Sequence, residues 1–384
     1  MADSADTRSD SLATPEEMGG VFSEEERLFV ASQWSLMWLH FKRHRLAVAG
    51  GIVICLMYFM AIFHGFLAPY EKLVRSEYIF MRPQPLVFND GEKFSLRPYT
   101  LGIEASMDSQ TFTRSFVYNE DVRYPIKFLH RGDEYSFLGL FKTNIHLFGV
   151  DAPGTIFLIG TDELGRDLLS RAMYGGAISL SIGLIGVVSS FILGALLGGV
   201  SGYYGGVTDT IIQRAIEFLI SIPTIPLWMA LSAAVPASWN AIQVYFAITL
   251  ILSLHGWCGL ARIVRGKLLE TSGEDFVMAA RLSGSSDFRI ITRHLLPSFM
   301  SYLIVHMTLA IPGMILGETS LSFLGLGLRP PVVSWGVLLQ QATNIRTVAT
   351  YPWIMYPGAF VVFTVLAFNF MGDGLRDAAD PYKV

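Results

Sequence analysis

Between Glu217 and Arg262 the chain carries no Asp, Glu, Lys or Arg. About 20 mostly apolar residues let a helix cross a bilayer, so this interval is too long for one crossing. A polar break, Pro236-Ala237-Ser238-Trp239-Asn240, divides it. The pattern predicts two helices joined by a tight hairpin. A second uncharged stretch lies between Arg171 and Asp209. Only 16% of residues are charged and 52% are hydrophobic, whereas soluble domains average about 25% charged. A soluble enzyme of 384 residues would need charges on most of its surface segments. A net charge of -4 and the lack of a basic tail disfavour nucleic-acid binding. Cys55 and Cys258, the two cysteines, both lie in apolar runs, which excludes a disulfide scaffold and reads as two small buried hydrophobes. The chain reads as an integral membrane protein.

Six spans account for the hydropathy: residues 46–68, the stretch after Arg171, two between Glu217 and Arg262, about 298–318 and about 351–372. The expected organisation is a tail at 1–22, an amphipathic helix at 23–45, and the first span at 46–68. An external, periplasmic insert follows at 69–171, then a five-span core at 172–376 and a tail at 377–384. The first span starts far behind an acidic N-terminus and is not a cleavable signal peptide. Six spans place both termini on one side. Lys42, Arg43 and Arg45 flank the first span, and Arg262, Arg265, Lys267, Arg281, Arg289 and Arg293 lie between the fourth and fifth. Both basic flanks fall on the same side, which the positive-inside rule makes cytoplasmic.

The tail to about Phe22 is acidic and rich in small residues, as in disordered segments. Ser23 and Glu26 have capping-box spacing ahead of an aromatic-rich amphipathic run, either an interfacial helix or an extension of the first span. The insert predicts a mostly β lobe, with a hairpin turn at Asn89-Asp90-Gly91. Arg131-Gly132-Asp133 reads as ordinary turn chemistry. His40 and His44, four apart, read as part of a basic interfacial patch in preference to a metal pair.

Gly194, Gly198, Gly202 and Gly206 recur every four residues, a spacing that lets helices approach closely. The loop after the fourth span predicts a short helix, a break and a second helix. Glu274 and Asp275 suit the positive end of the first helix. Ala279 and Ala280 leave a low ridge that a partner's groove can approach. Gly284 suits a left-handed helix end, and Ser285 or Ser286 can cap the second helix. Such a connector, held by two spans, is suited to docking another protein. No stretch fits the phosphate-cradling G-x-x-x-x-G-K-[ST] pattern, and neither a nucleophile elbow nor a zinc-protease motif occurs.

This loop resembles the "EAA" loop of ABC-importer permeases through Ala279, Ala280, Gly284, Ile290, His294 and Pro297, with Met278 at the glutamate position. Three more stretches resemble the C-type permeases of the dipeptide/oligopeptide/nickel branch. They are Gly160 through Arg171, Glu318 through Gly327, and Asn369 through Asp377. The resemblance implies an all-α polytopic fold of six transmembrane helices (the type I importer permease fold) carrying the β insert. It implies a heterodimer with a B-type permease, two cytoplasmic ATPases and a periplasmic solute-binding protein, in a bacterial inner membrane. ATP and Mg would be bound by the ATPases, with no cofactor and no catalysis on this chain. The solute would be an oligopeptide or a similar small molecule, an oligosaccharide or opine included. The coupling residues implied are Asp275, Phe276, Ala279, Ala280, Arg281, Gly284, Asp287, Arg289, His294 and Pro297. Arg281 and Arg289 read equally as ATPase contacts and as positive-inside markers.

Ionisable groups inside a membrane are functional candidates by default. Glu217, His255, His306 and Glu318 qualify, with Ser320 beside Glu318 as a further pore or gate candidate. For Glu318 a role in bonding helices together is favoured over solute contact. Asp162, Arg166 and Asp167 precede the second span and read as an ion-paired turn in preference to a solute site. The rival reading is a proton-coupled secondary transporter, which needs a carboxylate at mid-membrane; Glu217 is its candidate.

Overall fold

The computed structural model describes residues 33–89, 94–107 and 114–379. The tail, the Ser23–Glu26 spacing and the Asp90-Gly91 turn lie outside these. Helix α1 (Gln33–Arg43) ends at His44, whose ring accepts from the amide of Ala47 and so caps α2 (Arg45–Ile62). One further turn of helix, His64–Leu67, leads into the insert. Strands β1 (Val87–Asn89), β2 (Phe94–Met107) and β3 (Arg114–Pro125) form an antiparallel sheet, and β4 (Lys127–Phe137) pairs with β5 (Phe141–Gly149). The insert is therefore mostly β, as its sequence predicts. Arg131-Gly132-Asp133 departs from expectation: it lies inside β4, where the pairing with β5 shifts register. Gly132 is packed against the His146 ring, 3.0 Å from where a Cβ would stand.

The core is a helix bundle. Helix α3 (Leu168–Tyr204) has 37 residues, about 55 Å at 1.5 Å per residue. It extends beyond a hydrocarbon layer of about 30 Å. Gly205 and Gly206, both at positive φ, turn the chain into α4 (Gly206–Ser221). Helix α5 (Thr224–Ala233) follows an 87° bend at Ile222 and Pro223. Next come α6 (Ala241–Thr271), α7 (Asp275–Leu282), α8 (Met300–Phe323) and α9 (Tyr356–Ala379). Among the described residues five segments are long and apolar enough to span a membrane, and the bent pair α4–α5, counted as one broken span, brings the number to six. The third span thus begins at Gly206 and carries Asp209, Arg214 and Glu217 in its first half. The absence of charge placed its start after Glu217, because counting charges does not detect a glycine corner.

Helices α3 and α6 run in parallel, and the glycine ladder explains their closeness. A Cβ on Gly194 would stand 2.9 Å from Leu260, one on Gly202 2.9 Å from the Arg265 carbonyl, and Gly198 abuts the Ala261 backbone. Gly206 belongs to the corner instead. The main core gathers Leu180, Ile182, Leu252, Ile315, Trp335 and Phe368 from four helices and the short helix Trp335–Leu339. Helices α1, α2 and α9 meet through Met37, Phe41, Ala47 and Ala378, so the described chain ends share one pole of the bundle. The β lobe sits at the other. Cys258 is buried, whereas Cys55 is exposed on the bundle's flank.

Candidate functional site

At the pole shared with the β lobe, residues 160–171 form a closed polar turn. Asp162 is fully buried and accepts from the amides of Leu164 (2.8 Å) and Arg166 (3.0 Å), from Arg166 Nε (2.7 Å), and from Arg171 Nη1. Two guanidiniums on one carboxylate explain how such a charge is tolerated in the interior. Asp167 caps α3: its Oδ2 accepts from the Ser170 amide (2.7 Å) and hydroxyl (2.6 Å). Oδ1 is buried without a partner among the described residues. Burial pushes this carboxyl up to about 6, although the Ser170 donors pull the other way. The turn also anchors its surroundings. Gly165 O accepts from Ser76, Asp162 O accepts from Phe80, and Trp353 Nε1 donates to Thr161 O (3.1 Å). Asp162, Arg166 and Asp167 are brought together here, with Arg171, whose place as the second cation is not marked by its spacing.

Glu318, fully buried in α8, is a second polar centre at the same end. Its Oε1 accepts from the hydroxyls of Ser322 (2.8 Å) and Ser334 (2.7 Å), and Oε2 from that of Ser179 on α3 (2.9 Å). Each hydroxyl in turn accepts a backbone amide: Leu328 to Ser322, Val337 to Ser334, Trp335 to Ser179. The carboxylate thus pins α3, α8 and the loop between α8 and α9. Nothing in the spacing of Ser179 and Ser334 announces this, because a serine in a helix or loop gives no sign of a distant partner. Ser320 points away from this hub and is exposed, beside a small cavity against α5.

Glu217 lies elsewhere. It is half-exposed on α4 and pairs with the exposed Arg214 at 2.7 Å. Asp209, on the same helix, forms a two-point ion pair with Arg265 of α6 (2.5 and 2.6 Å), which fastens the glycine corner to α6. His255 hydrogen-bonds Thr224 across the α5–α6 contact (3.2 Å).

The opposite pole carries the connector. Helix α7 starts after Glu274, with Asp275 in its first turn, and is closed off beyond Leu282 by Ser283 and by Gly284 at φ +76°. The Ser285 amide reaches back to Ala280 O (3.1 Å), closing the end. A short turn, Asp287–Arg289, follows Ser286, whose side chain makes no capping bond. Ile290–Leu295 then widens into a π-helix and Leu296–Ser298 contains Pro297. Val277, Ala280, Ile290, Ile291 and Leu295 pack inward on Leu260, Val264 and Leu268 of α6 and on Phe299 and Leu303. This corrects the expected alanine ridge: Ala279 faces outward, but Ala280 is 7% exposed and faces the chain's own core. Tyr203 at the end of α3 braces the connector. Its hydroxyl donates to Asp287 (2.7 Å), and Arg281 lies over its ring at 5.3 Å. Arg281 therefore already has a partner within the chain. Arg289 is exposed and His294 half-buried. Phe276, Met278, Leu282 and Phe288 present apolar surface outward, with Leu282 88% exposed.

A bundle of broken and unbroken apolar spans, with a braced helix–break–helix at one pole and a β lobe at the other, defines a polytopic membrane protein. Residues 190–383 match the family described as binding-protein-dependent transport system inner membrane components. The chain belongs to that family. Residues 32–83 match the N-terminal transmembrane domain of oligopeptide transport permease C, so residues 84–189, with the β lobe, lie between the two matches. The dipeptide transport system permease protein DppC of Bacillus subtilis is 40% identical over 60% of this chain and 70% of its own length. The oligopeptide transport system permease protein OppC of Haemophilus influenzae is 41% identical over 58% and 69%. OppC of Bacillus subtilis is 36% identical over 60% and 73%. A chain in a solved structure of the MetNI methionine ABC transporter, in inward-facing conformations, is similar at a TM-score of 0.43. Identity there is 20%, over 54% of this chain and 96% of that one.

Proposed function

We propose that the chain is one half of the membrane channel of an ATP-driven peptide importer, paired with a homologous permease. Two cytoplasmic ATPases would bind the connector, and an external binding protein would deliver solute at the β-lobe pole. Both termini and the connector would face the cytoplasm. The observation that carries this reading is the connector's division of labour. Its inner face is locked to α6 and to Tyr203, while Phe276, Met278, Leu282 and Phe288 are left outward. A docked protein that moves such a handle moves α3 and α6 with it. Coupling requires the ATPase to hold the handle differently in its two states. The dipeptide and oligopeptide permeases among the relatives support peptides as the solute class.

The test is reconstitution of the whole transporter in proteoliposomes with dipeptide and ATP. Uptake should depend on ATP and on all companions. Gly284→Leu forces a β-carbon into the left-handed region, at about 1–2 kcal/mol, with no neighbour within 4 Å of the new atom. The variant should assemble, hydrolyse ATP and lose most uptake. Concentrative uptake by the isolated chain without ATP would sink the proposal.

A further inference from the structure

We propose that a small cavity at the β-lobe pole, between α5, α6 and the loop 326–332, binds a carboxylate, and that this is the free carboxylate of a solute in transit. The inference rests on the peptide reading above and sharpens it. The cavity measures about 150 Å³. Ser232 lines it, is 1% exposed, and its hydroxyl has no hydrogen-bond partner among the described residues. A buried hydroxyl left without a partner is costly, which marks it as a donor awaiting an acceptor. Arg329 also lines the cavity; its carbonyl accepts from the Val332 amide, but its guanidinium forms no hydrogen bond or ion pair among the described residues. The first turn of α6, a 31-residue helix, contributes Ala241 and the positive end of its dipole. No Asp or Glu lines the space.

A guanidinium, a hydroxyl donor and a helix N-terminus with no anion among them select a planar anion, and a guanidinium matches a carboxylate through two parallel N–H donors. Whole-ligand pockets measure roughly 300–1,000 Å³, so this one accepts a terminus and not an entire peptide. A neighbouring, more apolar cavity of about 550 Å³ shares Ala241, Pro331 and Val332 and offers room for the rest of a short peptide. Its own cation, Lys72, is already engaged over the Tyr174 ring at 5.6 Å. Arg329 is the cation left for the carboxylate.

The experiment uses the complete reconstituted transporter and compares uptake of dialanine with uptake of dialanine amide. Arg329 is exposed and its guanidinium has no partner to orphan among the described residues, so Arg329→Gln leaves the fold intact. It should raise KM for dialanine about tenfold, the scale of one lost charge-assisted contact, and leave the KM of the amide unchanged. Arg329→Lys should restore most of the discrimination. Trp239 lines the same cavity and gives a second readout. Dialanine added to the membrane complex without binding protein should change tryptophan fluorescence, and Trp239→Phe should abolish that change. Equal acid-to-amide KM ratios in wild type and Arg329→Gln, without a Trp239-dependent signal, overturn the proposal. Weakened binding-protein affinity in Arg329→Gln with an unchanged dialanine titration assigns the arginine to protein docking and overturns it too. Failure of the wild type to import any peptide overturns the peptide reading instead, and the Trp239 titration with dialanine still decides the cavity.

Discussion

The two ends of α3 solve the problem of polar groups in a membrane protein in opposite ways. At the β-lobe end, Asp162 takes Arg166 and Arg171, and Glu318 takes three serine hydroxyls. These carboxylates find their partners within the chain. At the other end Tyr203, Asp287 and Arg281 hold the connector against the bundle, and Asp209 with Arg265 holds the corner beside it. There the groups left over are apolar and exposed, Leu282 and Phe288 foremost. At one end the buried carboxylates of Asp162 and Glu318 are satisfied by the chain itself, and the other presents an apolar surface that another protein would complete. Damage should therefore read as lost stability at the first end and as lost coupling at the second.

The largest effect is expected at Asp162. Asp162→Ala leaves two buried guanidiniums without their counter-charge, and removing one partner of a buried pair costs about 3–5 kcal/mol. Little folded protein should survive detergent extraction, as judged by size-exclusion chromatography. Near-normal yield would show that the turn does not need its acid. Glu318→Ala comes next. Three hydroxyl donors lose their acceptor, at about 1–3 kcal/mol, so the melting temperature should fall while assembly persists. A variant with unchanged melting temperature but altered uptake would move Glu318 from scaffold to channel.

Asp167 gives a smaller, pH-dependent effect. Its folded-state pKa of about 6 lies above the ordinary carboxylate value of 3.8. The contribution to stability is full below the ordinary value and is lost as pH rises through 6. Wild type should therefore lose stability relative to Asp167→Asn between pH 4 and about pH 7, and asparagine still caps a helix. Parallel melting curves across that range would show that Oδ1 is hydrated or otherwise satisfied.

Much of the bundle was legible because a bilayer demands long apolar runs. The hairpin at 234–240 and the fifth span follow local rules, whereas Asp167, expected in an ion-paired turn, instead caps α3 through Ser170. The start of the third span was hidden by Gly205 and Gly206, the latter reading as the last member of a ladder that otherwise serves packing, and by the charges on α4 beyond them. The connector's helix end was readable from Gly284, because left-handed backbone selects glycine. Its facing was not: Ala279 and Ala280 are neighbours in sequence and about 100° apart on a helix of 3.6 residues per turn, so only the packing of α7 on α6 shows which one is free. The serine hub around Glu318 joins residues separated by 139 and 16 positions, and no periodicity encodes such distances.

The central claim is that the exposed face of the connector is the dock for a separate nucleotide-driven subunit. The most direct measurement is ATPase retention on affinity-purified membrane complex carrying Leu282→Asp and Phe288→Asp together. Both side chains are exposed, so melting temperature should hold while the ATPases are lost and uptake stops. Full ATPase retention with normal dipeptide uptake in that double variant would contradict the account.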